Sequence, residues 1–185
     1  HIHSAHQCGL CLHFGGDFIL FGAIILRVRA IHLHGDDDGN ALFALGDAVK
    51  PVLEALQAAS PNRFRGIRHS VTWDSNPAVE NTSAHKAEGQ MSSEKFRDGA
   101  KVLADMGLSL EGWMFFHQMP ELAEFAKAVP NLTIILNHIG GLLREGPYAN
   151  RDEEVMDTWR NGIAAAAQCP NIVLKVGGIG MPRMG

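Results

Sequence analysis

The stretch from Gly107 to Gly141, GLSLEGWMFFHQMPELAEFAKAVPNLTIILNHIGG, constrains the fold more than any other part of the chain. Two short apolar runs, Leu110 to Phe116 and Leu132 to Leu136, flank a segment in which Met119, Leu122, Ala123, Phe125, Ala126 and Val129 recur at helical spacing. The pattern predicts a strand, a helix and a second strand. Each apolar run leads directly into histidine: WMFF into His117 and Gln118, and TIIL into Asn137 and His138. In parallel α/β folds the carboxyl ends of the strands form the face where ligands bind. Two imidazoles arriving there from neighbouring strands mark a candidate reaction centre.

The same unit recurs along the chain from Leu45. Asp47 is placed to cap a helix carrying Val49, Val52, Leu53, Leu56 and Ala59 on one face, with Pro51 near its first turn, where a missing N–H costs little. That helix ends at Ser60 and is followed by a short strand around Phe64 to Ile67 with a basic exit at Arg68 and His69. Ser70 to Ser92 is polar and turn-rich, as a long βα loop on the ligand face would be. A helix from about Ser93 to Met106 is stopped by Gly107, and another opens at Asp152 and runs through Val155, Met156, Trp159, Ile163, Ala166 and Ala167. Pro61-Asn62, Pro130-Asn131 and Pro170-Asn171 each fall between a helix and a strand, where proline cannot continue the helix. Repeated β/α units indicate a parallel sheet. No GxGxxG opens a helix after a strand and no P-loop motif occurs, which favours a (β/α)8 barrel over an open doubly wound sheet.

Composition sets outer bounds. A chain of 185 residues, 46% of them apolar, is enough for one domain with a substantial core. The formal net charge of -4 and the scattered basic residues leave no footprint for nucleic acid or an anionic membrane. The three cysteines, Cys8, Cys11 and Cys169, do not form a disulfide framework, and a reducing cytoplasmic setting is expected. Cys8 and Cys11 make a lone CxxC flanked by His6 and His13, and plain thiols are the favoured reading. The apolar run Phe18 to Leu26 is too short to span a membrane, and no targeting segment is indicated. Residues 1–44 differ in character from the rest. Ile24 to Leu33 reads as a strand ending at His32 and His34, and an HxH at a strand end puts both imidazoles on one side, a geometry that suits a metal. A plain histidine-rich segment is the competing and preferred reading there.

RFRGIRH at 63–69, the Gly107–Gly141 stretch and PNIVLKVGGIG at 170–180, in that order, resemble the amidohydrolase-2 branch of the amidohydrolase superfamily. The resemblance implies α/β architecture, an incomplete (β/α)8 TIM barrel of the metal-dependent hydrolase type over 45–185, with an atypical segment over 1–44. It makes Arg65 to Arg68 strand four, Trp113 to Gln118 strand five, Ile134 to His138 strand six and Ile172 to Gly177 strand seven. His138 resembles the strand-six histidine that binds metal in some branches and polarises a carbonyl in metal-free lactonases. Arg68 resembles an arginine that grips a substrate carboxylate, a task suited to a planar bidentate donor. His117 is carried over as a second catalytic candidate, and Gln118, Trp113, His69 and Asn137 as substrate-binding candidates. A divalent metal, zinc or manganese, or none, is the cofactor expectation, with His138, His32 and His34 as candidate ligands.

A barrel of this kind takes about 250 residues, whereas the pattern here runs out after strand seven, so the aspartate that the family places after strand eight has no counterpart. A truncated or rearranged member is expected. Two functions follow. The first is a hydrolase that attacks a lactone, amide or related cyclic carboxylic acid with activated water, with a decarboxylase of the same superfamily as its variant. The second is a catalytically incomplete remnant that binds a small carboxylate or assembles with further copies through exposed sheet edges.

Overall fold

The computed structural model describes residues 17–21, 24–28, 43, 45–82 and 87–184. Two short strands, β1 (Asp17–Phe21) and β2 (Ile24–Val28), pair antiparallel, with Asp17 opposite Val28 and Phe21 opposite Ile24. The strand expected from Ile24 to Leu33 is therefore seen as far as Val28, and His32 and His34 lie outside the described residues.

The body of the chain is a parallel four-stranded sheet in the order β3 (Gly66–Ser70), β4 (Ser109–Trp113), β5 (Thr133–Leu136), β6 (Ile172–Leu174). Helices α1 (Lys50–Ala59), α2 (Glu94–Asp105), α3 (Met119–Ala128) and α4 (Asp152–Ala167) alternate with the strands. Sequential strands lie side by side, as in a barrel, and the order never reverses as it would in a doubly wound sheet. The sheet is unclosed among the described residues, so the architecture is an incomplete α/β TIM barrel.

Register assigns each side chain to a face. Arg68 pairs with Glu111, Glu111 with Ile135 and Ile135 with Val173, which makes one row across the sheet. The alternate row, Ile67, Leu110, Ile134 and Ile172, points the other way because side chains change face at every residue. That second face meets the helices: Leu110 and Ile134 join Phe96 and Leu103 of α2 and Leu122 and Phe125 of α3 in one buried cluster. Full burial of each such Leu or Phe contributes roughly 1.5–3 kcal/mol.

Local rules place the helix ends. Ser93 caps α2, its hydroxyl accepting from the N–H of Phe96, as serine before an amphipathic run should. Asp47 does not cap α1. It sits exposed inside a 3-10 turn, Gly46–Val49, that precedes the helix, and Val49 takes the cap position with no side-chain bond. Of the face expected on α1, Leu53 is fully buried, whereas Val52 is 39% exposed. The strands are also offset from the expected segments. Strand four is Gly66–Ser70 instead of Arg65 to Arg68, and strand five ends at Trp113, so His117 lies in a 3-10 turn, Phe116–Gln118, beyond it.

Candidate functional site

Arg68, third in β3, and His138, just past β5, meet at the sheet's carboxyl side: Nη2 of Arg68 lies 3.0 Å from Nε2 of His138. A guanidinium can only donate, so Nε2 is the acceptor and the ring carries its proton on Nδ1. The backbone under the histidine is unusual. His138 and Ile139 are consecutive non-glycine residues with φ of 49° and 50°, a left-handed conformation that costs a β-branched residue dearly. It is held by the N–H of Ile139 donating to the Lys175 carbonyl at 3.2 Å and by the indole of Trp159 donating to the Ile139 carbonyl at 2.6 Å. The edge of Trp113 stands 5.0 Å from the imidazole, centroid to centroid, at 82°. Its own N–H donates to Thr82 Oγ1, which is 3.0 Å from Thr72 Oγ1.

Behind Arg68 lies a buried charge pair. Glu111 is 4% exposed and accepts from Lys175 Nζ at 2.9 Å, while Arg68 Nη1 stands 3.8 Å from the same carboxylate oxygen. A carboxylate this deep requires such partners. Neither Glu111 nor Lys175 is among the site residues expected from sequence. Their signal was a single charge in each of two otherwise apolar runs, SLEGW and IVLKV.

His117 belongs to a second group. Its Nε2 is 3.0 Å from Asp74 Oδ2, and the same oxygen accepts from the Tyr148 hydroxyl at 2.6 Å, while Oδ1 accepts from the N–H of Asn76 at 2.8 Å. The carboxylate fixes the tautomer: Nε2 of His117 donates and Nδ1 keeps its lone pair. Burial lowers the His117 pKa, and the charge and hydrogen bond of Asp74 oppose that shift without cancelling it. Burial first, and then Asp74, raise the Tyr148 pKa, so its phenol keeps its proton. Asp74 comes from the segment expected to be a long βα loop on the ligand face and Tyr148 from a 3-10 turn, Gly146–Tyr148; neither residue is among the site residues expected from sequence.

The remaining candidates part company. His69 does not face the site. It falls on the helix-facing row, packed 4.9 Å from Phe43 and 5.6 Å from Phe96 between ring centroids, because it is one residue from Arg68 and the strand alternates. Gln118, expected to bind substrate, instead ties two loops together. Its Oε1 accepts from the N–H groups of Trp73 and Phe115, and its Nε2 donates to the Val71 carbonyl. Asn137 is fully buried beside His138, and neither of its amide atoms has a hydrogen-bond partner among the described residues.

The sequence matches the amidohydrolase family over residues 27–182, and the chain belongs to that family. It is 36% identical over 143 residues to the uncharacterized protein y4mH of Sinorhizobium fredii, a match covering 77% of this chain and 44% of that one. Two crystal structures of an amidohydrolase from Burkholderia multivorans share the fold. The one with bound HEPES has a TM-score of 0.52 at 21% identity and covers 70% of this chain and 41% of its own. The one with bound zinc has a TM-score of 0.50 at 17% identity and covers 78% and 51%. The chain thus spans less than half the length of the curated relative it matches.

The described residues by themselves do not fit a metal. No group of three His, Cys, Asp or Glu side chains is placed to hold one among them, and Nε2 of His138 is turned to a guanidinium, which would repel a cation there. His138 as a metal ligand is an expectation of the family resemblance, and in the described residues its Nε2 faces Arg68.

Proposed function

We propose that this chain supplies the substrate-binding and proton-transfer groups of a hydrolase acting on a small carboxylate-bearing lactone, amide or related cyclic acid. The observation that carries the reading is the contact between Arg68 and His138. The imidazole orients the guanidinium, and the side chain, a quarter exposed, presents its positive charge to a carboxylate or a developing oxyanion. His117 is the candidate general base. With Nε2 donating to Asp74 and a lowered pKa, its Nδ1 is unprotonated near neutrality and able to take a proton from water. The water oxygen then bonds to the carbonyl carbon, the ring C–O or C–N bond breaks, and the proton on His117 passes to the leaving atom.

The test is a screen of lactones and cyclic amides bearing a carboxylate, run on the purified chain together with metal analysis. Turnover lost in both His138→Ala and His117→Ala supports the reading. Carboxylate binding that depends on Arg68 without turnover would make the chain a binding domain and overturn it. Release of carbon dioxide would move the activity to a decarboxylase.

A further inference from the structure

Glu111 touches two cations at once. Lys175 Nζ lies 2.9 Å and Arg68 Nη1 3.8 Å from one of its oxygens, and the other residues of its row across the sheet, Ile135 and Val173, are apolar. Of the two cations beside the Glu111 carboxylate, Arg68 is the one that also reaches His138, through its other terminal nitrogen. The residues come from β3, β4 and the segment after β6, so the arrangement runs across the sheet toward its carboxyl side.

We propose that Glu111, locked in place by Lys175, is a positioning residue: it steers the Arg68 guanidinium onto Nε2 of His138 and so sets the tautomer of that ring. The inference rests on the reading of Arg68 and His138 as the substrate-facing pair, and it deepens that reading. Lys175 has the tighter hold on the carboxylate and fixes its oxygen. Arg68 is then drawn to the carboxylate through Nη1 while Nη2 faces the imidazole, which leaves the proton of His138 on Nδ1. The ring nitrogen nearest Arg68 is kept as an acceptor before any ligand arrives. With Glu111 neutral, the guanidinium loses its attraction to this carboxylate, and the proton of His138 shifts toward Nε2.

The experiment reads the tautomer directly and needs no substrate. Uniformly 15N-labelled protein is examined at slightly alkaline pH by long-range 1H–15N correlation of the imidazoles, with His138 assigned by the signals lost in His138→Gln. Wild type is expected to show His138 as a single Nδ1–H form, its Nε2 resonance at the downfield position of an unprotonated ring nitrogen. In Glu111→Gln that resonance should move upfield toward the protonated position, and in Glu111→Asp it should be restored in part. Lys175→Met should move it less than Glu111→Gln does, because the carboxylate loses its lock while Glu111 and Arg68 still carry opposite charges. Where circular dichroism finds Glu111→Gln unfolded, Glu111→Gln with Lys175→Met removes both buried charges and is read in its place.

An unmoved Nε2 resonance in the Glu111 variants would overturn the proposal. So would an equal movement in Lys175→Met, which would reduce Glu111 to an ordinary core ion pair. A chain without hydrolase turnover whose tautomer responds as described would overturn the hydrolase reading and leave this one intact.

Discussion

Nη2 of Arg68 and Nε2 of His138 lie 3.0 Å apart although 70 positions separate the two residues in the chain. Parallel pairing of β3, β4 and β5 makes the meeting possible, since it stacks the strands with their carboxyl ends together.

Arg68→Lys is expected to be far from conservative. An ammonium cannot keep a donor on the imidazole and still offer a planar fork to a ligand. The loss of a charged hydrogen bond of this kind is about 1.5–3 kcal/mol, so kcat/KM, or the affinity for a carboxylate inhibitor, should fall roughly 10- to 100-fold. Steady-state kinetics or calorimetry would measure it, and an unchanged affinity would remove Arg68 from the site.

His117 makes stability depend on pH. Its folded pKa is below the ordinary imidazole value of about 6.5, so the unfolded chain binds more protons between the two values. Its contribution is fully present above about 6.5 and is lost as pH falls through the folded pKa. Asp74→Asn removes the groups that oppose the shift, so the His117 pKa should drop further. An NMR titration of the imidazole that moved upward in this variant would contradict the pairing.

Asn137→Leu exchanges two fully buried amide atoms, which have no hydrogen-bond partner among the described residues, for hydrocarbon of similar shape. Relief of their desolvation should stabilise the chain by about 1–3 kcal/mol, equivalent to about 2–4 °C in Tm for each kcal/mol at this size. Thermal melts read the result. A lower Tm would mean that the amide is satisfied in solution.

Gly178→Ala tests how closely the loop after β6 supports the site. A Cβ there would lie 2.6 Å from Nδ1 of His138, and φ at Gly178 is 70°. Both the clash and the left-handed backbone oppose alanine, and a loss of about 1–3 kcal/mol is expected. Chemical denaturation measures it, and the His138 ring signals should shift in the same variant.

The sequence carried the architecture because its signals are local. The strand, helix and strand from Gly107 to Gly141 follow from periodicity, α4 runs over Asp152–Ala167 as its apolar spacing requires, and each Pro-Asn pair falls in a helix-to-strand turn. Asn171 shows what such a pair can add, since its side-chain amide donates to the carbonyls of Ala126, Val129 and Leu132. Site chemistry was legible only where a polar residue followed an apolar run, as at His138. Asp74 lies in a loop 43 positions from His117, and Tyr148, in a 3-10 turn, reaches the same carboxylate oxygen from 74 positions away, so both contacts require the fold. His69 misled because a one-residue difference in strand phase decides which face a side chain takes. Glu111 and Lys175 could have been paired by asking what partner a lone charge inside a buried strand must find.

The left-handed turn at His138 and Ile139 ends at an indole on α4, a helix whose outer surface faces water. The angle of the imidazole is therefore set partly from the far side of the sheet. Any ligand that would displace the backbone beneath this ring must work against the Trp159 hydrogen bond, which reaches the site from a helix outside the sheet.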